Sequence, residues 1–297
     1  MSERPQVKIS DGAKRAFDMT IDIAADPATV WKALTDAGEL VRWFPFQAKV
    51  EPGTGGTMFW GWGDFFDWRH RIDAWEPGKL LRLVDDRAVP FDVHGKPMPE
   101  GQTRPARVAI ELTLEARGGS TRLRLVHSGF ERGKDWDDEF EGISTGWQSE
   151  LRNLKHYIER HRGHDRIAAM ARLSTTEARG AAWRRVLADG FALDPASLTE
   201  GATYSARPPD GSKLSGTILM TLPEKEFSGS VREMDDGVFR VATHRAGGET
   251  GVMVWFSSYR PEDRPRIEAL QRDAQATIDR LFAQTMSNAA ASTGSGC

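Results

Sequence analysis

The sequence predicts an α+β protein in which antiparallel strands are closed by a long helix, and in which that order occurs twice. Three observations predict it. Apolar and polar residues alternate with period two in several short runs bounded by turn residues, the mark of half-buried strands. A long amphipathic stretch follows the strongest hairpin, with apolar residues at helical spacing. Finally, two residue strings from the first half recur in the same order in the second half.

The first strand is Phe17–Ile23 (F-D-M-T-I-D-I). Asp26-Pro27 then supplies an N-cap and a proline at the first helical position, and Val30, Trp31 and Leu34 share one face of the helix that follows. Gly38 is expected to end that helix, with Trp43-Phe44-Pro45 closing the connection. Turns at Pro52-Gly53 and Gly55-Gly56 precede a strand over Thr57–Trp62, and Glu76-Pro77-Gly78 separates strands at His70–Trp75 and Lys79–Val84. The proline-dotted stretch Arg87–Pro105 reads as a long loop. Strands at Val108–Leu114 and Thr121–His127 follow, joined by Gly118-Gly119. The mixed run Asp135–Glu141 reads as a solvated helix start, since acids favour a helix N-terminus. The helix beyond it carries the stripe Ile143, Trp147, Leu151, Leu154 and Ile158, with Arg152, Lys155, His156 and Arg160 crowding its C-terminal half.

The repeat is carried by GGSTRLRLVHSGF (Gly118–Phe130) against GGETGVMVWFSSY (Gly247–Tyr259), and by VWKALTD (Val30–Asp36) against AWRRVLAD (Ala182–Asp189). Inward parity pairs Leu123 with Val252, Leu125 with Val254 and His127 with Phe256. Trp31 and Trp183 are 152 residues apart and the hairpin strings 129, so the second copy is 23 residues shorter, close to the length of the proline-dotted loop. A last helix after Pro261 shows Ile267, Leu270, Ala274, Ile278 and Leu281 on one face. Arg166–Ser174 fits either a strand or more helix. The expected division is one domain over residues 14–162, a degenerate second copy over 166–285, and a flexible tail over 286–297.

Composition narrows the function classes. Hydrophobic residues at 39% and charged residues at 28% of 297 describe a globular chain rather than a disordered one. The longest apolar runs fall far short of a membrane span, and MSERPQVKIS has no apolar stretch behind a basic start, so no secretory signal is expected. The single cysteine, Cys297, cannot form an internal disulfide and fits a reducing cytoplasm. A net charge of −3 from 40 basic and 43 acidic residues gives no electrostatic case for nucleic acid. No HExxH, CxxC, GxSxG or phosphate-cradling glycine loop occurs, so neither a metal nor another cofactor is expected. His156 and His161 read as solvated at a helix end. Eight of the ten tryptophans lie in the first half (Trp31, Trp43, Trp60, Trp62, Trp68, Trp75, Trp136, Trp147), which concentrates the flat apolar surface there.

The string FDMTIDIAADPATVWKALTDAGELVRWF resembles the entry to the START-like superfamily of polyketide cyclases, dehydrases and lipid-transport proteins (SRPBCC), and is closest to the branch named for activators of the heat-shock-protein ATPase. The strand Gly55–Trp60, the segment Trp75–Leu80, the hairpin ending TRLRLVHSGF and the helix GWQSELRNLKHYI extend the resemblance over about Ala16 to His161. It implies a helix-grip fold, a curved antiparallel sheet around a long C-terminal helix with a cavity between them. Members bind lipids, sterols, polyketides or hormones, or catalyse cyclisation, dehydration or hydrolysis, or act as co-chaperones. Fold alone does not choose among these.

The expected ligand-binding residues are Met58, Trp60, Trp62, Asp64, Trp68, His70, His127, Trp147 and Leu151. Met58, Trp60 and Trp62 share one strand face and form either an aromatic wall or ordinary core. His127 stands where the second copy has Phe256, so it either faces a cavity or is satisfied by a neighbour. Gly63–His70 sets two carboxylates and a histidine among aromatics, which suits either acid–base chemistry or an exposed hairpin tip. The leading reading is a cytoplasmic protein that binds a small hydrophobic, aromatic or polycyclic molecule, with Arg87–Pro105 as a lid and with the second domain structural or dimerising. The alternatives are an enzyme of cyclase, dehydratase or hydrolase type using Asp64, Asp67 or His70, and a co-chaperone-like partner-binding protein.

Overall fold

The alternation at Phe17, Met19, Ile21 and Ile23 becomes strand β2 (Arg15–Ile23) in the computed structural model, which describes residues 5–12, 14–89, 99 and 102–285. Those four side chains are buried and the residues between them half-exposed. The chain divides into two units, Met1–Gly163 and His164–Cys297.

In the first unit, Asp26 caps helix α1 (Pro27–Thr35) by accepting the Thr29 backbone N–H at 2.8 Å. Asp36, not Gly38, ends it. Its carboxylate accepts the Glu39 N–H at 2.9 Å and so begins a second short helix, α2 (Ala37–Leu40). Strands β3 (Gln47–Val50), β4 (Thr57–Gly61), β5 (Asp67–Glu76), β6 (Leu80–Val89), β7 (Arg104–Arg117) and β8 (Ser120–Phe130) follow, then helix α3 (Lys134–His156), which closes in a π-helical turn at Tyr157–His161. With an edge strand β1 (Gln6–Asp11) absent from the sequence reading, they form one antiparallel sheet in the order β1-β2-β8-β7-β6-β5-β4-β3. Gly118 and Gly119, both at positive φ, make the β7–β8 turn.

Two expectations about α3 and its approach change. Both ends of Arg87–Pro105 are strand, because Arg87, Ala88 and Val89 pair with Ala106, Pro105 and Arg104. Residues 90–98, 100 and 101, and with them most of the expected lid, lie outside the described residues. The start of α3 is also not a solvated face. Trp136 and Phe140 are buried, and Phe140 packs on Phe17 and Phe130 at 5.6 and 5.2 Å between ring centroids.

The second unit comprises β9 (Ile167–Thr175), α4 (Arg179–Arg185), β10 (Thr203–Ala206), β11 (Leu214–Leu222), β12 (Glu226–Val231), β13 (Gly237–Ala246), β14 (Glu249–Ser258) and α5 (Arg264–Leu281). Its sheet order is β10-β11-β12-β13-β14-β9, which is the first sheet without β1 and β3. Pairing with β14 settles Ile167–Ser174 as strand, Arg166 lying just before it, with Ala169 opposite Phe256.

The registers of the two sheets correspond residue by residue. His127 lies between Phe17 and Ile110, as Phe256 lies between Ala169 and Phe239. Two strands further on, Ile72 pairs with Leu83 and Ile218 with Gly229. Both strands then carry a one-residue bulge, at Asp73 and at Leu219. The sequence offset between copies is thus 152 at Phe17 and Ala169, 146 at Ile72 and Ile218, and 129 at His127 and Phe256. The shortening is therefore split. Six residues go with the loss of β3, and seventeen go between β6 and β7, where the first copy has its proline-dotted stretch.

The same register exposes an exchange of volumes. Trp60, His70 and Leu83 become Ala206, Gly216 and Gly229, while Met58, Ile110 and His127 become Tyr204, Phe239 and Phe256. Tyr204 fills the space over Gly229, where an added Cβ would stand 2.3 Å from its ring. The Tyr204 hydroxyl donates to the Ser230 carbonyl at 2.9 Å. Gly229→Ala is therefore expected to cost the second unit about 1–3 kcal/mol by overpacking. In a Tyr204→Ala background the same change costs much less, and urea unfolding of the four chains measures both.

Candidate functional site

Strand parity builds the site on the inner face of the first sheet. Met58 and Trp60 alternate inward along β4, and register sets His70 opposite Met58 and Trp68 opposite Trp60 on β5. His127 projects inward from β8, and Trp147 and Leu151 lie on the buried stripe of α3. Phe44, from the connection between α2 and β3, enters the middle of this group. Its ring lies 5.0 Å from Trp60, 5.1 Å from Trp62 and 5.2 Å from Trp147. The run Trp43-Phe44-Pro45 signalled a closed connection but not this role, because connecting residues carry no periodicity from which a facing can be read.

Met58, Trp60, Trp62, His70, His127, Trp147 and Leu151 are all buried. Trp68 is half-buried at the rim, 5.7 Å from Trp62 and 6.1 Å from His70. Phe66, 38% exposed, stacks on Trp62 at 4.4 Å with an 18° tilt and carries the aromatic cluster to the surface. Asp64 stands apart from it. It is exposed in the β4–β5 connection beside Gly63, which has φ of 67°, so the chain turns there and points the carboxylate to solvent. Asp67 is exposed too and pairs with Arg69 at 3.4 Å.

The polar groups inside the cluster are unusual for an aromatic core. The Trp147 Nε1–H donates to His127 Nδ1 at 3.2 Å, and the His127 ring packs on Phe17 and Phe130 at 5.3 and 4.7 Å. His70, only 7% exposed, has no hydrogen-bond partner at either ring nitrogen among the described residues, and Trp60 Nε1 has none either. The two rings lie 4.8 Å apart. Burial pulls the His70 pKa down to about 4, with Asp85 acting against that and Arg87 with it. Burial also holds His127 well below the usual histidine range, helped by His70 and Arg87. Both imidazoles are therefore neutral at pH 7. Arg87 bridges two acids, Asp85 at 2.6 Å and Glu139 of α3 at 2.7 Å, and stands 5.6 Å over Trp136.

Other features fall outside this group. His161, expected to be solvated, is buried against His156 at 5.0 Å, because the π-helical turn winds it back toward the unit's interior. Among the described residues no group of three or more His, Cys, Asp or Glu side chains is arranged to hold a metal ion, and no helix is long and apolar enough to cross a membrane. A cleft of about 320 Å³ opens on the opposite face of the same sheet, lined among others by Arg15, Arg82, Arg107 and Ser128. Ala16 and Ser128 there have the outward parity, and Arg15 and Arg107 are paired with Asp137 and Asp86. That cleft is a charged outer surface and is separate from the aromatic interior.

Residues 24–159 match the family model described as Activator of Hsp90 ATPase homolog 1-like protein. No curated protein matches the chain. Among solved structures, the chain is similar to DynU16, a protein of the dynemicin biosynthetic locus, at 15% identity over 90% of this chain and 96% of that one, with a TM-score of 0.38. It is similar to the di-domain ARO/CYC protein BexL from the BE-7585A biosynthetic pathway at 13% identity, over 90% and 98% of the two chains, with a TM-score of 0.41. It is also similar to the Aha1 dimer from Colwellia psychrerythraea at 22% identity, over 50% and 98%, with a TM-score of 0.37.

The neutral His70 makes stability depend on pH. The unfolded chain takes up this proton near pH 6.5 and the folded chain only near pH 4. Between those values the unfolded state holds more protons, so the contribution is complete above about pH 6.5 and is lost as pH falls toward 4, by about 3 kcal/mol. Urea unfolding from pH 7.5 to 4 is expected to be flatter in a His70→Phe variant than in the unaltered chain.

Proposed function

With a START-like domain of the Activator of Hsp90 ATPase homolog 1-like family as its first unit, we propose that the chain binds a small, flat aromatic molecule between the first sheet and α3. The observation that carries this reading is the set of unpaired polar atoms on His70 and Trp60 inside an otherwise aromatic interior. A buried polar group without a partner costs about 1–3 kcal/mol, and native cores retain few of them. An interior selected only for packing has apolar solutions at the same positions, as the second unit has with Gly216, Ala206 and Phe256.

Binding follows from the materials of the site. Trp60, Trp62, Trp147 and Phe44 offer ring faces and edges at stacking distances. The aromatic series from Trp62 through Phe66 and Trp68 runs to the surface beside them, and this rim is the entry side in the reading proposed. Met58 and Leu151, expected from the sequence, supply the apolar floor of the site, and His127 adds an imidazole held by Trp147. Asp64 and Asp67 are exposed to solvent and stand outside it, so His70 is the one of the three acid–base candidates that lies inside the cluster. The second unit, whose matching interior is filled by Tyr204, Phe227, Phe239 and Phe256, serves as a structural or dimerising module.

Titration of the full chain with naphthalene, anthracene and 1-naphthol tests this through tryptophan fluorescence. Saturable quenching at one molecule per chain is expected with at least one of them. His127→Phe, which copies Phe256, is expected to weaken it at least about fivefold, whereas Trp255→Phe in the second unit leaves it in place. Absence of saturable quenching by any of the three overturns the proposal.

A further inference from the structure

The binding reading leaves open what chemistry the ligand carries, and the polar atoms of the site bear on that directly. Trp60 Nε1 is a donor only, and a neutral imidazole offers one N–H donor and one acceptor nitrogen. Both groups are buried, 4.8 Å apart between ring centroids, and without partners among the described residues. A single hydroxyl on an aromatic ring answers both, by accepting the indole N–H and donating to the bare nitrogen of His70. A plain hydrocarbon leaves them as they are.

The charges around the site decide between a neutral and an anionic ligand. Arg87, a cation on this face, is held between Asp85 and Glu139, so the three groups together carry net negative charge, and Arg104, of the same parity as Ile110 on β7, is paired with Glu131. His127 already accepts from Trp147 and, like His70, is neutral through burial. A carboxylate entering here would lose its hydration, find Arg87 already neutralised, and add to the negative charge of Asp85 and Glu139. The desolvation of such an ion is far more costly than that of a hydroxyl.

We infer that the site takes an uncharged hydroxylated aromatic molecule, with Trp60 and His70 reading the hydroxyl, and that it rejects the corresponding aromatic carboxylate. This inference rests on the binding reading above. His70 acts as a specificity-determining residue, and its effect lies in discrimination between ligands rather than in affinity for the ring alone.

Three bicyclic probes on the full chain test it at neutral pH, where 1-naphthol is uncharged and 1-naphthoate ionised: naphthalene, 1-naphthol and 1-naphthoate, each titrated calorimetrically. We expect 1-naphthol to bind about tenfold or more tightly than naphthalene, since a site with buried polar groups penalises an analogue that leaves them unpaired, and 1-naphthoate to bind more weakly than either. The ratio of naphthol to naphthalene affinity is expected to fall to about twofold in His70→Phe and to be restored in His70→Gln, which keeps a donor and an acceptor. Near-ultraviolet circular dichroism confirms that each variant is folded. Equal affinities for naphthalene and 1-naphthol, a ratio unchanged in His70→Phe, or tighter binding of 1-naphthoate overturns the inference while leaving ring binding intact. Failure of all three probes to bind removes the binding reading and this inference with it.

Discussion

The register of β8 against β2 and β7 is the constraint from which the rest of the first unit follows. Pairing of His127 with Phe17 on one side and Ile110 on the other fixes which face of three adjacent strands is interior, and β6, β5 and β4 inherit that facing through Leu83, Ile72 and Met58. A slip of one residue would reverse every side chain. It would turn Asp18, Arg122 and Arg124 inward, which now form cross-strand ion pairs on the outer face, at 2.7 Å for Arg124 with Asp18 and 2.8 Å for Arg122 with Asp22. Such exposed pairs contribute little by themselves. Their larger effect is to make the alternative register prohibitive, since it would bury charges in place of Phe17 and Leu125.

The second unit obeys the same register, down to a bulge at the corresponding residue, yet distributes its volume differently. Trp60, His70 and Leu83 of the first copy are matched by Ala206, Gly216 and Gly229, and the missing volume returns as Tyr204, Phe239 and Phe256. Interiors hold near crystalline packing density, so an exchange of this kind works only if losses and gains lie next to each other across the sheet. Here they do, with Tyr204 lying over Gly229 and Phe239 stacked on Phe256 at 5.4 Å. One fold thus supports two interiors. The first keeps imidazole and indole groups on its inner sheet face, and the second has glycine, alanine, phenylalanine and a tyrosine whose hydroxyl is paired at the matching positions.

Much of this was legible in the sequence wherever one period governs a segment. The alternation of Phe17–Ile23, the Asp26-Pro27 cap, the stripe through Trp147, Leu151 and Leu154, and the alignment of His127 with Phe256 each rest on a local rule the fold does not override. What escaped depended on longer reach. Arg87 sits in what reads as a loop, yet the parity of Leu81, Leu83 and Asp85 continues through it, because Glu139 on α3 and Asp85 anchor the guanidinium. Asp36 displaced Gly38 as the helix end since a carboxylate with a free N–H three residues ahead restarts a helix at once. Strand β1 is an edge whose residues are largely exposed, with Ile9 62% accessible, so burial wrote little pattern into it. At the site, period two identified Met58 and Trp60, while the separation of Asp64 from His70 depended on the turn at Gly63.

What points to a function in the first unit is a cost rather than a shape. Packing alone accounts for the tryptophans there, for a flat apolar side chain is useful in any core. It does not account for His70, because burial strips that ring of water and the described side chains around it return no hydrogen bond. The duplicated copy demonstrates that glycine is accommodated at the matching position with aromatic filling from across the sheet. A polar ring retained against this ready apolar solution is an expense for the fold, and under the proposed reading a ligand's hydroxyl recovers it. Neutralisation of Arg87 by two acids completes the same logic, since it leaves the interior able to satisfy a dipole but unable to balance an anion. Under the proposed reading, recognition belongs to hydrogen bonding inside an aromatic enclosure built from His70 and Trp60 of the first unit.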